Sequence, residues 1–319
     1  MKRNSSYSIL PAALITAALI PVFSCAEEGG GGHYTPGAMA SLIDLPQDTP
    51  GFAVSLMYNY YQGDASATTA LPYAGTVDLG VSAVCNTAVL GLSYVFEPKV
   101  FGAKLMSGVF MPIQTLTVEA TASISALKPA SLRGTASGIG DLTLIPFYLA
   151  WKKDSWTCGA LLNVYAPTGE FHVDELANLG KNYWTFDPNV CVSYFGEKSG
   201  FSATLFAGLT MNTTNDATDY RSGNGLHFDA TIAQYLPVGK GFLGVGATGF
   251  YFQQVSGDSG SGATLGSFEG RTAGVGPVLS YILPMGRRSL MAELKWLPEL
   301  DARNRVQGDS IWFKIGMNF

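Results

Sequence analysis

Few side chains in this chain have the types and spacing that chemistry requires. The three histidines are His33, His172 and His227, and no two of them stand at a metal-ligand spacing. His227 and Asp229 lie two residues apart, so on a strand they share one face and could polarise a nucleophile, as in an outer-membrane lipid hydrolase. Two polar residues lining one inner face explain the pair better. "GVGATG" at Gly244–Gly249 has the spacing of a dinucleotide-binding turn, but that fingerprint needs a strand to stop and a helix to start at the glycines. Here "GFLGVGATGFYFQQ" runs on as a strand. "DSGSG" at Asp258–Gly262 lacks the acid periodicity of a calcium loop and reads as a turn. Asn212 of "NTT" is given no role. No catalytic residue, metal or cofactor is expected.

The elements around these residues say more than the residues do. Only 13% of the chain is charged, against about 25% in an ordinary soluble domain, while 47% is hydrophobic, with 38 Gly, 15 Tyr and 18 Phe. A surface this poor in charge needs a medium other than water. Met1 to Ala26 reads as an export signal, with Lys2 and Arg3 ahead of the apolar stretch Ile9 to Phe23 and small residues at Ser24-Cys25-Ala26. The mature chain is expected to begin near Glu27. A lipoprotein with Cys25 lipidated is the competing reading, which the bulk of Phe23 disfavours. Cleavage lowers the cations from 19 to 17 against 24 acids, a net charge of −7, which argues against a nucleic-acid partner. Cys85, Cys158 and Cys191 then remain, an odd and scattered set that fits neither a disulfide framework nor a metal site and reads as small apolar strand residues.

Beyond the signal no apolar run approaches the ~20 residues of a membrane helix. Strand alternation is frequent instead, as in "GFAVSLMYNYY", "GFSATLFAGLTM" and the final "DSIWFKIGMNF". Twelve strands are expected at 51–62, 83–96, 100–112, 139–151, 156–167, 184–195, 200–211, 225–236, 241–254, 271–283, 289–298 and 309–319. Their joins alternate long and short without exception, from the long 62–82 and 113–138 to the short 97–99 and 152–155, ending on a long 299–308. Six long loops and five tight turns in that order define an all-β, transmembrane up-and-down antiparallel barrel. An even strand count puts the first and last strand ends on the short-turn side, the periplasmic side of bacterial outer-membrane barrels. Outer-membrane lipids would meet its apolar face, and the barrel-assembly machinery would read Ile315, Met317 and Phe319 in the last strand.

The strand phase points Asn59, Asn163, Asp187, Asn189, Ser193, Asp229, Glu293, Lys295 and Lys314 away from lipid, with Asp229, Glu293, Lys295 and Lys314 as a lumen polar network. Tyr60, Tyr61, Trp151, Trp156, Tyr183, Trp184 and Trp312 near strand ends fit interfacial aromatic girdles. Residues 27–50 do not read as a strand. Ala38 to Leu45 suits one or two helical turns, and Leu42, Ile43 and Leu45 need burial, so this segment is either a periplasmic tail or a plug folded into the lumen.

"APTGEF", "NLGKNYWTFDPNV", "TDYRSGNGLHFDA", "FYFQQVSGDSGSGA", "GRTAGVGPVLSY" and "NRVQGDSIWFKIGMNF" together resemble the outer-membrane proteins of the MetA-pathway of phenol degradation family. They run in register from about residue 137 to the last residue, and "HYTPGAMASLIDLPQDTPGF" resembles the family's start. The stretch "TLTVEATASISALKPASLRGT" at 115–135 matches less clearly. The resemblance implies a transport barrel, distantly similar to outer-membrane fatty-acid channels, that admits small apolar or aromatic solutes. On position and chemistry, solute contacts are expected from Tyr183, Trp184 and Asp187, from Tyr220 and Arg221, and from Gln253 and Gln254, where rings pack on an apolar solute and amides orient a hydroxyl. Two other readings stay open: a structural or adhesive barrel without transport, and the hydrolase above.

Overall fold

A computed structural model of the chain describes residues 31–319 except 72–74, 125–129, 265, 268 and 287, and gives no side chains for 67–71, 75–77 and 124. The expected export signal lies outside the described residues. Thirteen strands follow one another antiparallel: β1 Gly51–Leu71, β2 Gly75–Val95, β3 Lys104–Ile124, β4 Ala130–Ile139, β5 Leu142–Lys153, β6 Trp156–Ala166, β7 Thr185–Phe195, β8 Phe201–Asn212, β9 Gly225–Val238, β10 Gly241–Gln254, β11 Arg271–Met285, β12 Arg288–Arg303 and β13 Gln307–Asn318. Each pairs with the next around the ring, and β1 closes on β13 from Ala53↔Asn318 to Asp64↔Gln307. The exception is β4. It pairs with the far half of β3, from Ile113↔Ile139 to Ala122↔Ala130, while β5 pairs with the near half, from Lys104↔Ala150 to Phe110↔Thr143. β4 therefore continues the line of β5 past the rim, and the closed barrel has twelve strands plus this extra one.

Two expected loops are corrected by this arrangement. Residues 62–82 and 113–138 are largely the far ends of β1 to β4, which carry the sheet beyond the barrel; at ~3.4 Å per residue a strand of 21 residues, the length of each of β1 to β3, reaches ~70 Å. Polar residues in the alternation disguised them, because there the outer face is the polar one. The join expected at 299–308 is only residues 304–306, since β12 runs to Arg303 and β13 starts at Gln307.

Side-chain parity holds through β1, β2 and β3, whose mutual registers carry no bulge. Outward-facing Phe52, Val54, Leu56, Leu90, Leu92, Val109 and Ile113 are exposed, as an apolar medium would require. Beyond Ile113 the outward set becomes Thr115, Thr117 and Thr121 on β3 and Ser131, Thr135 and Ser137 on β4, with Thr115 hydrogen-bonded to Ser137 at 3.0 Å and Thr117 to Thr135 at 3.1 Å. The inward set changes in the opposite sense. The projecting sheet is thus amphipathic with its faces exchanged relative to the barrel below it. In β10, Gly244 sits mid-strand with the ring of Tyr235 where a side chain would stand, so the glycine spacing there serves packing.

Candidate functional site

The inner wall is polar because alternate residues of strands with apolar outer faces are polar. In β12, Leu294 and Trp296 are about half exposed outward while Glu293 and Lys295 are buried inward. Asn59, Asn163, Asp187, Asn189, Ser193, Asp229 and Lys314 are buried as well. These groups need partners in a space that strands alone leave hollow.

Asn59, Asn189 and Ser193 find them within the wall, and residues 31–50 supply them for Asp229, Glu293 and Lys314. Called the plug below for its place inside the lumen, the segment runs from His33 near the loop end to Asp48 at the short-turn rim. Within Ala38 to Leu45, where one or two helical turns are expected, it has a single 3-10 turn at Leu42–Asp44. Asp229 accepts hydrogen bonds from the Tyr34 hydroxyl and the Gly37 amide, both at 2.8 Å. Gly37 has φ +78°, and an added side chain would collide with Leu297, so the close approach to the wall needs glycine. Trp312 Nε1 donates to the Pro36 carbonyl at 3.0 Å. The Lys314 ammonium donates to the Ala38 carbonyl and pairs with Asp44, both at 2.7 Å. The Ser41 hydroxyl donates to Glu293, which also pairs with Lys295 at 3.0 Å. At the rim Lys104 and Lys152 both pair with Asp48. Burial alone would raise the carboxyl of Asp48, but hydrogen bonds from those two ammonium groups outweigh it and hold its pKa below the ordinary 3.8.

Nearer the loop end, His227 Nε2 lies 2.9 Å from Asp187 and Nδ1 3.6 Å from Asp229. The Tyr34 ring stacks on the imidazole at 4.1 Å between centroids. The expected pair of His227 and Asp229 is therefore part of a triad of two acids around one histidine, roofed by the plug. Asp141, between β4 and β5, gathers three donors: His33 Nε2 at 2.9 Å, the Gly169 amide at 2.8 Å and the Lys181 amide at 2.7 Å. It ties the plug to the loop 167–184, which Gln114 also holds by donating to the Leu179 carbonyl at 2.7 Å.

On the other side of the plug lies a cavity of about 740 Å³. Its lining runs from Asp48, Ser155, Glu197 and Arg288 at the short-turn rim up to Gln114, Asp141 and Lys181. Between those ends the wall offers Met57, Val89, Val95, Met106, Phe110 and Ile145, and the plug offers Met39, Leu42, Ile43 and Leu45. Leu42, Ile43 and Leu45 find their partly apolar surroundings here.

The expected contact residues separate. Asp187 and Tyr183 are buried, and Asp187 belongs to the histidine triad. Trp184 alternates outward with 42% exposure, and Gln253, bonded to Tyr251, alternates away from buried Gln254. Neither reaches the lumen, because each is one residue out of phase with an inward neighbour. Gln254 and Tyr220 both hydrogen-bond Asp258 within the loops, and Arg221 Nε donates to the Asn212 carbonyl. Three of the expected girdle aromatics turn inward: Trp312 and Tyr183 are buried and Tyr61 hydrogen-bonds Glu299. Parity decides this, and the indole and phenol of Trp312 and Tyr61 find polar partners inside. Trp151 and Trp156 are exposed outward. Asp141, Gln114, Met106, Phe110 and Ile145 were missed as site residues. The Pro146 bulge, where β5 slips register between Leu144 and Phe147, was the one sequence signal near them.

Residues 63–315 match the model of the family described as MetA-pathway of phenol degradation. Among solved structures, an outer membrane channel from Pseudomonas putida F1 is 17% identical with a TM-score of 0.62, over 90% of this chain and 100% of that chain. The beta domain of the Bordetella autotransporter Brka is 12% identical with a TM-score of 0.41, over 85% of this chain and 99% of that one. At 17% identity the first likeness is one of fold, that of an outer-membrane barrel. No curated protein matches the sequence.

Proposed function

The chain belongs to the MetA-pathway of phenol degradation family, and from that premise we propose that it is an outer-membrane channel passing small apolar or aromatic compounds by passive diffusion. The observation that carries this reading is the cavity between plug and wall. It runs from the short-turn rim to the loop 167–184, and in its middle Met, Val, Ile and Phe of the wall face Met, Leu and Ile of the plug, with Ser55, Asn59, Thr87, Ser93 and Asn163 as polar points between them. Flexible thioethers and an aromatic ring suit solutes of varied shape held by dispersion and burial. In this reading the short turns face the periplasm, the exposed outer residues meet lipid, and Ile315, Met317 and Phe319 are the signal for barrel assembly.

Passage needs no nucleophile, metal or cofactor. The triad of His227, Asp187 and Asp229 serves as an anchor, since the plug's Tyr34 covers the imidazole face and occupies Asp229. Asp141 is the gate: releasing its three donors frees the loop 167–184 from the plug and opens the cavity towards the loop side. Of the contact candidates, Tyr183 and Asp187 remain near this gate, and Tyr220, Arg221 and Gln254 act as loop supports.

Permeation into liposomes carrying the refolded mature protein tests the reading, with toluene or phenol against a sugar of similar size, with and without residues 27–50. The aromatic is expected to cross faster than the sugar through the full protein, and its own rate to rise further after truncation. If neither crosses faster than in empty liposomes even after truncation, the channel reading is wrong and a surface barrel without transport takes its place.

A further inference from the structure

Above the cavity, the inner face of the projecting sheet is apolar over a continuous area. Its partly exposed residues follow from the register: Val81 and Ala83 on β2 pair with Ala120, itself buried at the edge of the area, and Val118 on β3, and Leu116 pairs with Ala136 on β4. Nearly all are small or β-branched, so the surface is shallow and carries no charge. The outer face of the same strands is a ladder of hydroxyls with the Glu119–Arg133 pairing among them. A sheet built to sit in lipid would show the reverse, as β1 to β3 do lower down. A sheet standing in water with nothing to bind would have little reason to put its apolar face over the mouth.

We infer that this inner face is a capture surface for small uncharged apolar solutes, delivering them to the cavity below; the inference rests on the channel reading. Continuity identifies the occupant. Along β3 the inward residues are Phe110, Pro112 and Gln114, all lining the cavity, and then Leu116, Val118 and Ala120. One strand face therefore leads from canopy to lumen, interrupted only at Gln114, whose amide holds the loop 167–184 across the join. On that loop Val173 and Leu176 are 58% and 44% exposed, apolar side chains on a segment that packs against Gly134 of the same sheet through Leu176 and Ala177. A charged or strongly hydrated solute would find no partner there. An apolar one exchanges water contact on both sides for contact with the sheet, which is favourable in proportion to the area removed from water.

Adjacent residues on opposite faces give the test its internal control. Full mature protein is prepared with Cys85, Cys158 and Cys191 replaced by Ala and with either Val118→Cys or Thr117→Cys added, and maleimide labelling is timed with and without toluene. At twice its dissociation constant the solute should slow labelling of Val118→Cys about threefold and leave Thr117→Cys unchanged. Ala136→Cys on β4 repeats the inner-face measurement should Val118→Cys fold poorly. Equal slowing at both faces, no slowing at either, or an inner-face cysteine that never reacts because protein already covers it would each overturn the capture surface. Liposome permeation of the same variants separates the two readings. Permeation without protection removes the capture surface and leaves the channel, whereas protection without permeation removes the channel.

Discussion

The two sides of the lumen treat the plug differently. On the side of β9, β12 and β13, Asp229, Glu293, Trp312 and Lys314 bond to Tyr34, Pro36, Gly37, Ala38, Ser41 and Asp44. On the side of β1 to β3, β5 and β6 the same stretch of plug faces the cavity, which also reaches Trp312 and Lys314 of β13, and its hydrogen bond to that wall among the described residues is Asn163 Nδ2 to Met39 Sδ at 3.8 Å. Between ends tied at Asp141 and at Lys104 and Lys152, a segment whose middle is bonded mainly on one side can stay folded while the other side is left open to a solute. Directional bonds fix position and an apolar wall leaves room for movement, so the wall chemistry itself divides lock from path.

Removing residues 31–50 abolishes that division and should have the largest effect. Both walls then line one wide lumen, and the sugar should cross with the aromatic; persistence of strong aromatic preference would show that the wall selects without the plug. Asp229→Ala is the next largest. It strands the Tyr34 hydroxyl and the Gly37 amide and leaves His227 with Asp187 alone. Each buried unpaired donor costs about 1–3 kcal/mol, and if only ~1.4 kcal/mol falls on plug docking the released population rises tenfold. Sugar permeation should rise with it, while protease should cut near Tyr34 faster than in the parent. Unchanged permeation would mean that Lys314 and Glu293 hold the plug without Asp229.

Much of the locking wall was legible in the sequence. Asp229, Glu293, Lys295 and Lys314 could be phased inward because they alternate with Phe228, Leu294, Trp296, Phe313 and Ile315 in uninterrupted strands. What they bind was not legible, because the plug's route depends on contacts over 190 residues or more in sequence, such as Tyr34 to Asp229. The path wall was harder. Met106, Phe110 and Ile145 are apolar inward residues beside apolar outward ones, so alternation gives no phase there, and the register slips in β5 break what phase exists. The projecting sheet reads as loops in the sequence for a related reason: "TLTVEATASIS" alternates, but with hydroxyls outside, and a rule that places apolar residues outward cannot assign it.

A change on the path wall should leave the lock intact. Phe110→Glu puts a carboxylate into the cavity, and an apolar solute can pass only if that group loses water. As little as ~1.4 kcal/mol of desolvation lowers aromatic flux tenfold. Thermal unfolding should move little, since Phe110 is only partly buried and the group stays hydrated from the rim. Equal loss of stability and flux would show that the plug leans on this wall after all.

The smallest effect belongs to the rim, where path and lock meet at Asp48. Its pairs with Lys104 and Lys152 tie the plug's end to the path side, yet its side chain is 61% exposed, so water and salt screen most of the attraction. The folded carboxyl titrates below the ordinary 3.8, so the stabilisation is fully present above that value and disappears as pH falls through the lower, folded pKa. At neutral pH Asp48→Asn should therefore raise permeation only slightly, and the rise should shrink in high salt, where the parent has already lost most of the pairing. Acidification through the carboxylate range should bring parent and variant together, read as converging flux at the lowest pH at which the barrel stays folded. A large, salt-insensitive rise in the variant would mean that the rim, and not the wall of β9, β12 and β13, holds the plug, and the two sides of the lumen would exchange the roles assigned to them.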